Sequence, residues 1–201
     1  MIGVILNGGN SERFGEDKST YLLRTKTMIE HVYQRLTSVF DRVVLVGKPY
    51  KNMQYVEDQY KTGPVGGVLT ALNVLKDNIF VVGCDMPFVQ PAVIRKMWSH
   101  FEKSNVDAVV PKLLDGIHPL HAFYNVSIKE NLIWSMKYAD SSFHSAFDRA
   151  EIDYLTEDFF KTIPDWEWSF FNINTKSDLR FLEVNRCSGK PTGLDMTGNA
   201  K

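Results

Sequence analysis

The sequence predicts an α/β fold with a mostly parallel central sheet, and three observations predict it. Short segments at residues 2–6, 42–46, 79–84 and 107–111, apolar except for glycine and for Arg42 and Asp107 at their first positions, alternate with stretches of helical periodicity. A strand that is apolar at every position, rather than every second one, is buried on both faces, as in a parallel sheet between two helical layers. Several of these segments also run straight into glycines or carboxylates, at the strand ends where open sheets of this kind hold their ligands.

Taken in order, residues 2–6 form the first strand, which breaks into Asn7-Gly8-Gly9. Thr27 followed by Glu30 has the spacing of a capping box, and Met28, Ile29, Val32, Leu36 and Val39 give the helix after it one apolar face. Residues 42–46 form a second strand, ended by Gly47 and Pro49. A shorter strand at 53–56 exits at Glu57-Asp58. Gly63-Pro64 opens a helix running to about Leu75, with proline where its missing N–H is not needed. Residues 79–84 form a strand that delivers Asp85 to its carboxyl end, and Pro91 starts a helix reaching about Phe101. After the strand at 107–111 come a strand at 118–124, helices at 127–136 and 141–149, and a short strand at 151–155. Residues 159–169 have no clear period. Residues 170–174 read as a short strand, and Thr175 caps a last helix with Asp178 at the capping-box position. Residues 1–187 are expected to form one domain. The Gly-, Thr- and Asn-containing stretch from Ser188 is expected to be a flexible tail.

With 201 residues the chain can bury a sizeable core without disulfides. A formal net charge of −1 gives no reason to expect a nucleic-acid or membrane surface. Cys84 and Cys187 lack metal-ligand spacing, and Cys84, in an apolar strand, is expected to be a small buried hydrophobe. The first apolar run is too short for a secretory signal, and no segment approaches the length of a membrane span. A cytoplasmic protein is the expectation.

The stretch around which the chain is organised is its first eighteen residues, where a buried strand ends in glycines followed by Arg13, Gly15 and Lys18. Such an arrangement suits a phosphate: glycine lets the backbone approach the anion, backbone N–H groups point at its oxygens, and the cations neutralise it. It is not a Walker A loop, since no Gly-Lys-Ser/Thr follows. Leu6-Asn7-Gly8-Gly9-x-Ser11-x-Arg13-x-Gly15-x-Asp17-Lys18 resembles the N-terminal signature of nucleotidyltransferases that activate small phosphorylated molecules. It is most similar to the molybdenum cofactor guanylyltransferases, whose usual form is L-A-G-G-x-S-x-R-[MF]-G-x-D-K; Asn7 stands where that family has alanine. Gly83-Cys84-Asp85-Met86-Pro87, Glu57-Asp58 ahead of Gly63-Pro64, His118-Pro119-Leu120 and Asn172-Ile173-Asn174-Thr175 also match segments of the family.

The resemblance implies a three-layer, Rossmann-like domain of the nucleotide-diphospho-sugar transferase type. It implies a reaction in which GMP passes from GTP to the terminal phosphate of molybdopterin, with Mg²⁺ as cofactor. Asp85 would hold the metal, and Lys18 and Arg13 would contact the triphosphate. Leu6, Asn7, Gly8 and Gly9 would lie along the base, ribose and phosphates, largely through main-chain groups. Gly8, alanine in related cytidylyltransferases, would make room for a purine. The Asn7 side chain either crowds the pocket or adds a hydrogen bond. Asp58 would accept from the guanine edge or serve the ribose. Asn172 and Asn174 would touch the acceptor or pin the loop near Asp85. Proteins that deliver or receive the cofactor are implied as transient partners. Two other readings stay open: a transferase for CTP or another phosphorylated metabolite, and a nucleotide-binding partner without turnover.

Overall fold

The computed structural model describes residues 1–8, 18–175 and 177–179. The first strand, β1 (Ile2–Asn7), is buried along its whole length. A 3₁₀ turn at Lys18–Thr20 leads into a small hairpin, β2 (Leu22–Leu23) and β3 (Lys26–Thr27). Helix α1 (Met28–Thr37) follows at once, and the Glu30 carboxylate accepts from the Thr27 N–H (2.8 Å) and hydroxyl (3.0 Å). Next come β4 (Val43–Gly47), the two-residue β5 (Tyr55–Val56), α2 (Pro64–Leu75), β6 (Ile79–Gly83) and α3 (Pro91–Phe101). The second half holds β7 (Ala108–Leu113), β8 (Gly116–Ile117), β9 (His121–Tyr124), α4 (Lys129–Tyr138), α5 (Phe143–Phe147), β10 (Ile152–Leu155) and α6 (Glu157–Phe160).

The strands join in the order β10-β7-β9-β6-β1-β4-β5, with β8 hairpinned onto β7. Pairing is parallel except for β9, which lies antiparallel between β6 and β7, and for that hairpin. Successive side chains along each strand feed opposite cores, as the two-residue period of a strand requires. Ile5, Leu45, Phe80, Val82 and Phe123 pack with α1 and α3 on one face. Val4, Val44, Val81 and Tyr124 pack with α2, α4 and α5 on the other. The result is the mostly parallel, three-layer sheet expected from the uninterrupted apolar strands.

Two segments differ from expectation. The strand expected over 118–124 begins at His121, because Leu113 to Ile117 turn back as a hairpin, with Gly116 at φ 127°. Residues 170–174 are not a sheet strand. Phe170 ends a 3₁₀ turn begun at Trp166, and its burial comes from packing among His118, His121, Phe160 and Trp166. The tail from Ser188 lies outside the described residues, as does Cys187. Among the described residues, no helix is long and apolar enough to cross a membrane.

Candidate active site

The carboxyl ends of β1, β4 and β6 lie side by side, because these strands are neighbours and parallel. A cavity of about 570 Å³ opens over them. Leu6, Asn7 and Gly8 line it from β1, Val46, Gly47 and Lys48 from β4, and Gly83, Cys84 and Asp85 from β6. Glu57, Asp58 and Lys61, past β5, and Gly63, Pro64 and Gly67 at the start of α2 complete one side, while Leu120 and Ser19 also reach it. Asn7 and Gly8, Asp58 and Asp85, remote in sequence, thus share one hollow.

Asp85 sits one residue beyond Cys84, whose N–H donates to the Leu6 carbonyl at 3.2 Å and so ties the β6 exit to β1. The Asp85 carbonyl accepts from the Ile173 N–H at 2.9 Å. Its carboxylate folds back over Gly83: a Cβ at that position would stand 2.5 Å from Asp85 Oδ1. Cys84, expected to be a small buried hydrophobe, is only partly buried, because it stands where the strand leaves the core and opens on the cavity.

The Asn7 side chain is 2% exposed and donates through Nδ2 to the Lys48 carbonyl at 2.9 Å. The Lys48 N–H returns to the Asn7 carbonyl at 2.8 Å. Asn7 therefore uses its amide as a brace between the β1 and β4 exits; of the two alternatives for its side chain, the hydrogen bond is what the structure holds. Gly47, paired with Asn7, has φ 112°, and a Cβ there would meet the Asn7 carbonyl oxygen at 2.6 Å. At Gly8, by contrast, a Cβ would have no heavy atom of the described residues within 4 Å.

Asp58 is held from below by α2. Its Oδ1 accepts from the Thr70 hydroxyl at 3.0 Å and from the Tyr60 N–H at 3.1 Å. Gly66 lets the loop of residues 58–62 lie close on α2, since a Cβ there would meet Thr62 Oγ1 at 2.5 Å. Gly67 does the same for the Leu6 side chain, at 3.2 Å.

Other expected residues lie elsewhere. Arg13 and Gly9 fall outside the described residues, and so does the Lys18 side chain, whose backbone starts the 3₁₀ turn. Asn172 and Asn174 are exposed on either side of the buried Ile173 and do not line the cavity. What links this segment to Asp85 is the Ile173 main chain, while Asp178 accepts from the N–H groups of Asn174 and Thr175, both at 2.7 Å. His118 pairs with Asp115 at 2.9 Å and rests on Phe170. Lys48, Lys61 and Thr70 were not singled out from the sequence. Lys48 carried a signal, a cation directly after a strand-ending glycine, as in the first loop. Lys61, 3.5 Å from Glu57, carried little. Thr70 carried none, standing in an apolar helical run.

This arrangement, a strand-end hollow with carboxylates on both sides and backbone exits braced against each other, suits a phosphorylated nucleotide. Residues 3–145 match the MobA-like NTP transferase domain. A probable molybdenum cofactor guanylyltransferase of Pyrococcus furiosus is 32% identical over 195 residues, 92% of this chain and 97% of that protein. A protein so described from Thermococcus gammatolerans is 35% identical over 190 residues, 89% of this chain and 97% of its own length. Among solved structures, the molybdopterin-guanine dinucleotide biosynthesis protein A of Archaeoglobus fulgidus superposes with a TM-score of 0.83 at 28% identity, covering 94% of this chain and all (100%) of that one. Sequence and fold agree over nearly the whole chain, which therefore belongs to the family of MobA-like nucleotidyltransferases.

Proposed function

We propose that this protein is a molybdenum cofactor guanylyltransferase, joining GMP from GTP to the terminal phosphate of molybdopterin and releasing pyrophosphate. The observation that carries the reading is the meeting of the β1, β4 and β6 exits around one cavity, with Asp85 lining it from the β6 side and Asp58 from the β5 side. The names of the relatives support the choice of nucleotide and acceptor. Glycine at position 8, where related cytidylyltransferases have alanine, supports a purine.

In this reading GTP lies over β1 and β4. The base is read at Asp58, and the triphosphate runs along the first loop to Arg13 and Lys18. Molybdopterin approaches from the β9 side, where Leu120 lines the cavity and the β7–β8 hairpin and His118 stand beyond it. Asn172 and Asn174 project from the segment tied to Asp85 and can meet the acceptor. The residues present fit Mg²⁺: Asp85 offers a carboxylate, the oxygen donor this ion prefers, in the wall of the cavity proposed to hold the nucleotide. A single carboxylate that leaves the other positions to phosphates and water is the usual way this ion is held. Asp85 would hold it, and the ion when bound neutralises charge on the phosphates.

The protein's own task is alignment. The acceptor phosphate oxygen attacks the α-phosphorus in line, and pyrophosphate departs. A phosphate monoester is already largely ionised near neutral pH, so no side chain need remove a proton. Catalysis then rests on positioning and on donors aimed at the phosphate oxygens. Incubation of the purified protein with GTP, Mg²⁺ and molybdopterin should give the guanine dinucleotide, identified by mass, with one pyrophosphate per product. Product with CTP in preference to GTP, or no product with any nucleotide, would overturn the assignment.

A further inference from the structure

We infer that Thr70, buried in the middle of α2, is a positioning residue that fixes the Asp58 carboxylate for recognition of the guanine edge; this rests on the reading of Asp58 as a contact of the base. A hydroxyl in a helix interior commonly turns back on its own helix and bonds the carbonyl four residues earlier. Thr70, with no exposed surface, instead reaches out to the loop after β5. Its Oγ1 accepts from the Gln59 N–H at 3.1 Å. An N–H can only donate, so the hydroxyl proton is left for the acceptor 3.0 Å away, Asp58 Oδ1. The Tyr60 N–H donates to the same oxygen at 3.1 Å, closing an Asx-turn.

Two donors on Oδ1 fix the rotation of the carboxylate, and Asp58 lines the cavity, so Oδ2 is the oxygen for a ligand. It accepts only. Guanine presents two donors, N1–H and the 2-amino group, on one edge; adenine presents neither there. A carboxylate already held in place loses no rotational freedom when it binds, which is how preorganisation adds affinity. Gly66 stands one helical turn before Thr70. A Cβ there would meet Thr62 Oγ1 at 2.5 Å and Tyr60 Cβ at 3.0 Å, so the glycine permits the close approach that the Thr70 bond needs.

The test is the ratio of GTP to ATP affinity, measured calorimetrically on the full chain with Mg²⁺ and no acceptor. ATP shares the ribose and triphosphate and serves as the internal control. Thr70→Val keeps the shape and removes the hydroxyl; it should lower the ratio about 3–10-fold, the size of one hydrogen bond, with ATP affinity unchanged. Thr70→Ser should restore it. In an Asp58→Ala background, Thr70→Val should have no further effect on the ratio. Equal weakening of GTP and ATP by Thr70→Val would mean a merely structural role and would overturn the inference. So would a normal ratio in Thr70→Val beside a lowered one in Asp58→Ala, which leaves Asp58 as the base contact. An unchanged ratio in Asp58→Ala removes the base reading itself, and Thr70's part with it.

Discussion

At Gly83 the absence of a side chain is used by the neighbour two residues on. The hypothetical Cβ lies 2.5 Å from Asp85 Oδ1, far inside contact distance. The offending atom is the end of a short side chain, so the carboxylate can swing away while the backbone stays. Gly83→Ala should therefore leave folding nearly untouched and move the one group proposed to hold the metal. A displacement of about 1 Å at a reacting site can cost two orders of magnitude. We expect the thermal midpoint to change little, pyrophosphate release to fall at least about tenfold, and the Mg²⁺ concentration for half-maximal rate to rise. Normal Mg²⁺ dependence in a folded Gly83→Ala protein would separate Asp85 from the metal. Asn7 makes the opposite point, since the larger side chain found there is absorbed by a hydrogen bond to Lys48.

At the scale of elements, the site depends on strand exits that brace one another. Gly47 closes β4 with φ 112°, and an added Cβ would press on the Asn7 carbonyl oxygen, a backbone atom that cannot rotate aside. Gly47→Ala should destabilise the protein by about 1–3 kcal/mol, read from urea unfolding, through strain in a region that L-residues avoid. An unchanged unfolding midpoint would contradict the strain argument. The elements around this brace were legible because their signals are local. Proline at the first position fixed the starts of α2 and α3, and Thr27 with Glu30 fixed that of α1. Reading failed where burial came from elsewhere. Phe170 and Phe171 have the apolar character of a strand, yet Phe170 is buried by packing against other aromatic side chains and pairs with no strand. The β7–β8 hairpin had a signal in Asp115-Gly116 that the apolar residues on either side obscured. Within the candidate site, strand-end carboxylates and glycines were visible as breaks in apolar runs. Thr70 was hidden because its partner is a loop twelve residues earlier, a distance that no periodicity records.

At the scale of the whole molecule, among the described residues, a buried base at His121 ties stability to pH. His121 lies inside β9 with no exposed surface, edge-on to Phe80 and 4.4 Å from the Phe170 ring centroid. Its Nδ1 is 3.1 Å from the Ser169 carbonyl, which can only accept, so Nδ1 carries the proton and Nε2, buried without a partner among the described residues, does not. Burial, with the neighbouring His118 adding to it, pushes the His121 pKa from 6.5 down to about 3. Because the folded value lies below the unfolded one, the neutral ring favours folding fully above about pH 6.5. That contribution is lost as pH falls from there toward 3, at about 1.4 kcal/mol per pH unit once developed. Glu30, held at about 2 by hydrogen bonds from Lys51 and Thr27, loses its contribution only below about pH 4.5, so the two groups act in separate windows. The consequence reaches the candidate site, because the Ser169 carbonyl that His121 holds begins the segment whose Ile173 N–H bonds Asp85. Urea midpoints should be level from pH 8 to 6.5 and fall steadily between 6.5 and 4.5. His121→Asn, whose amide can still donate to Ser169, should start lower but stay level through that interval, because it removes the titrating group. A wild-type midpoint equal at pH 7.5 and pH 5, or a His121→Asn protein with the same slope as wild type, would place the acid sensitivity in other groups.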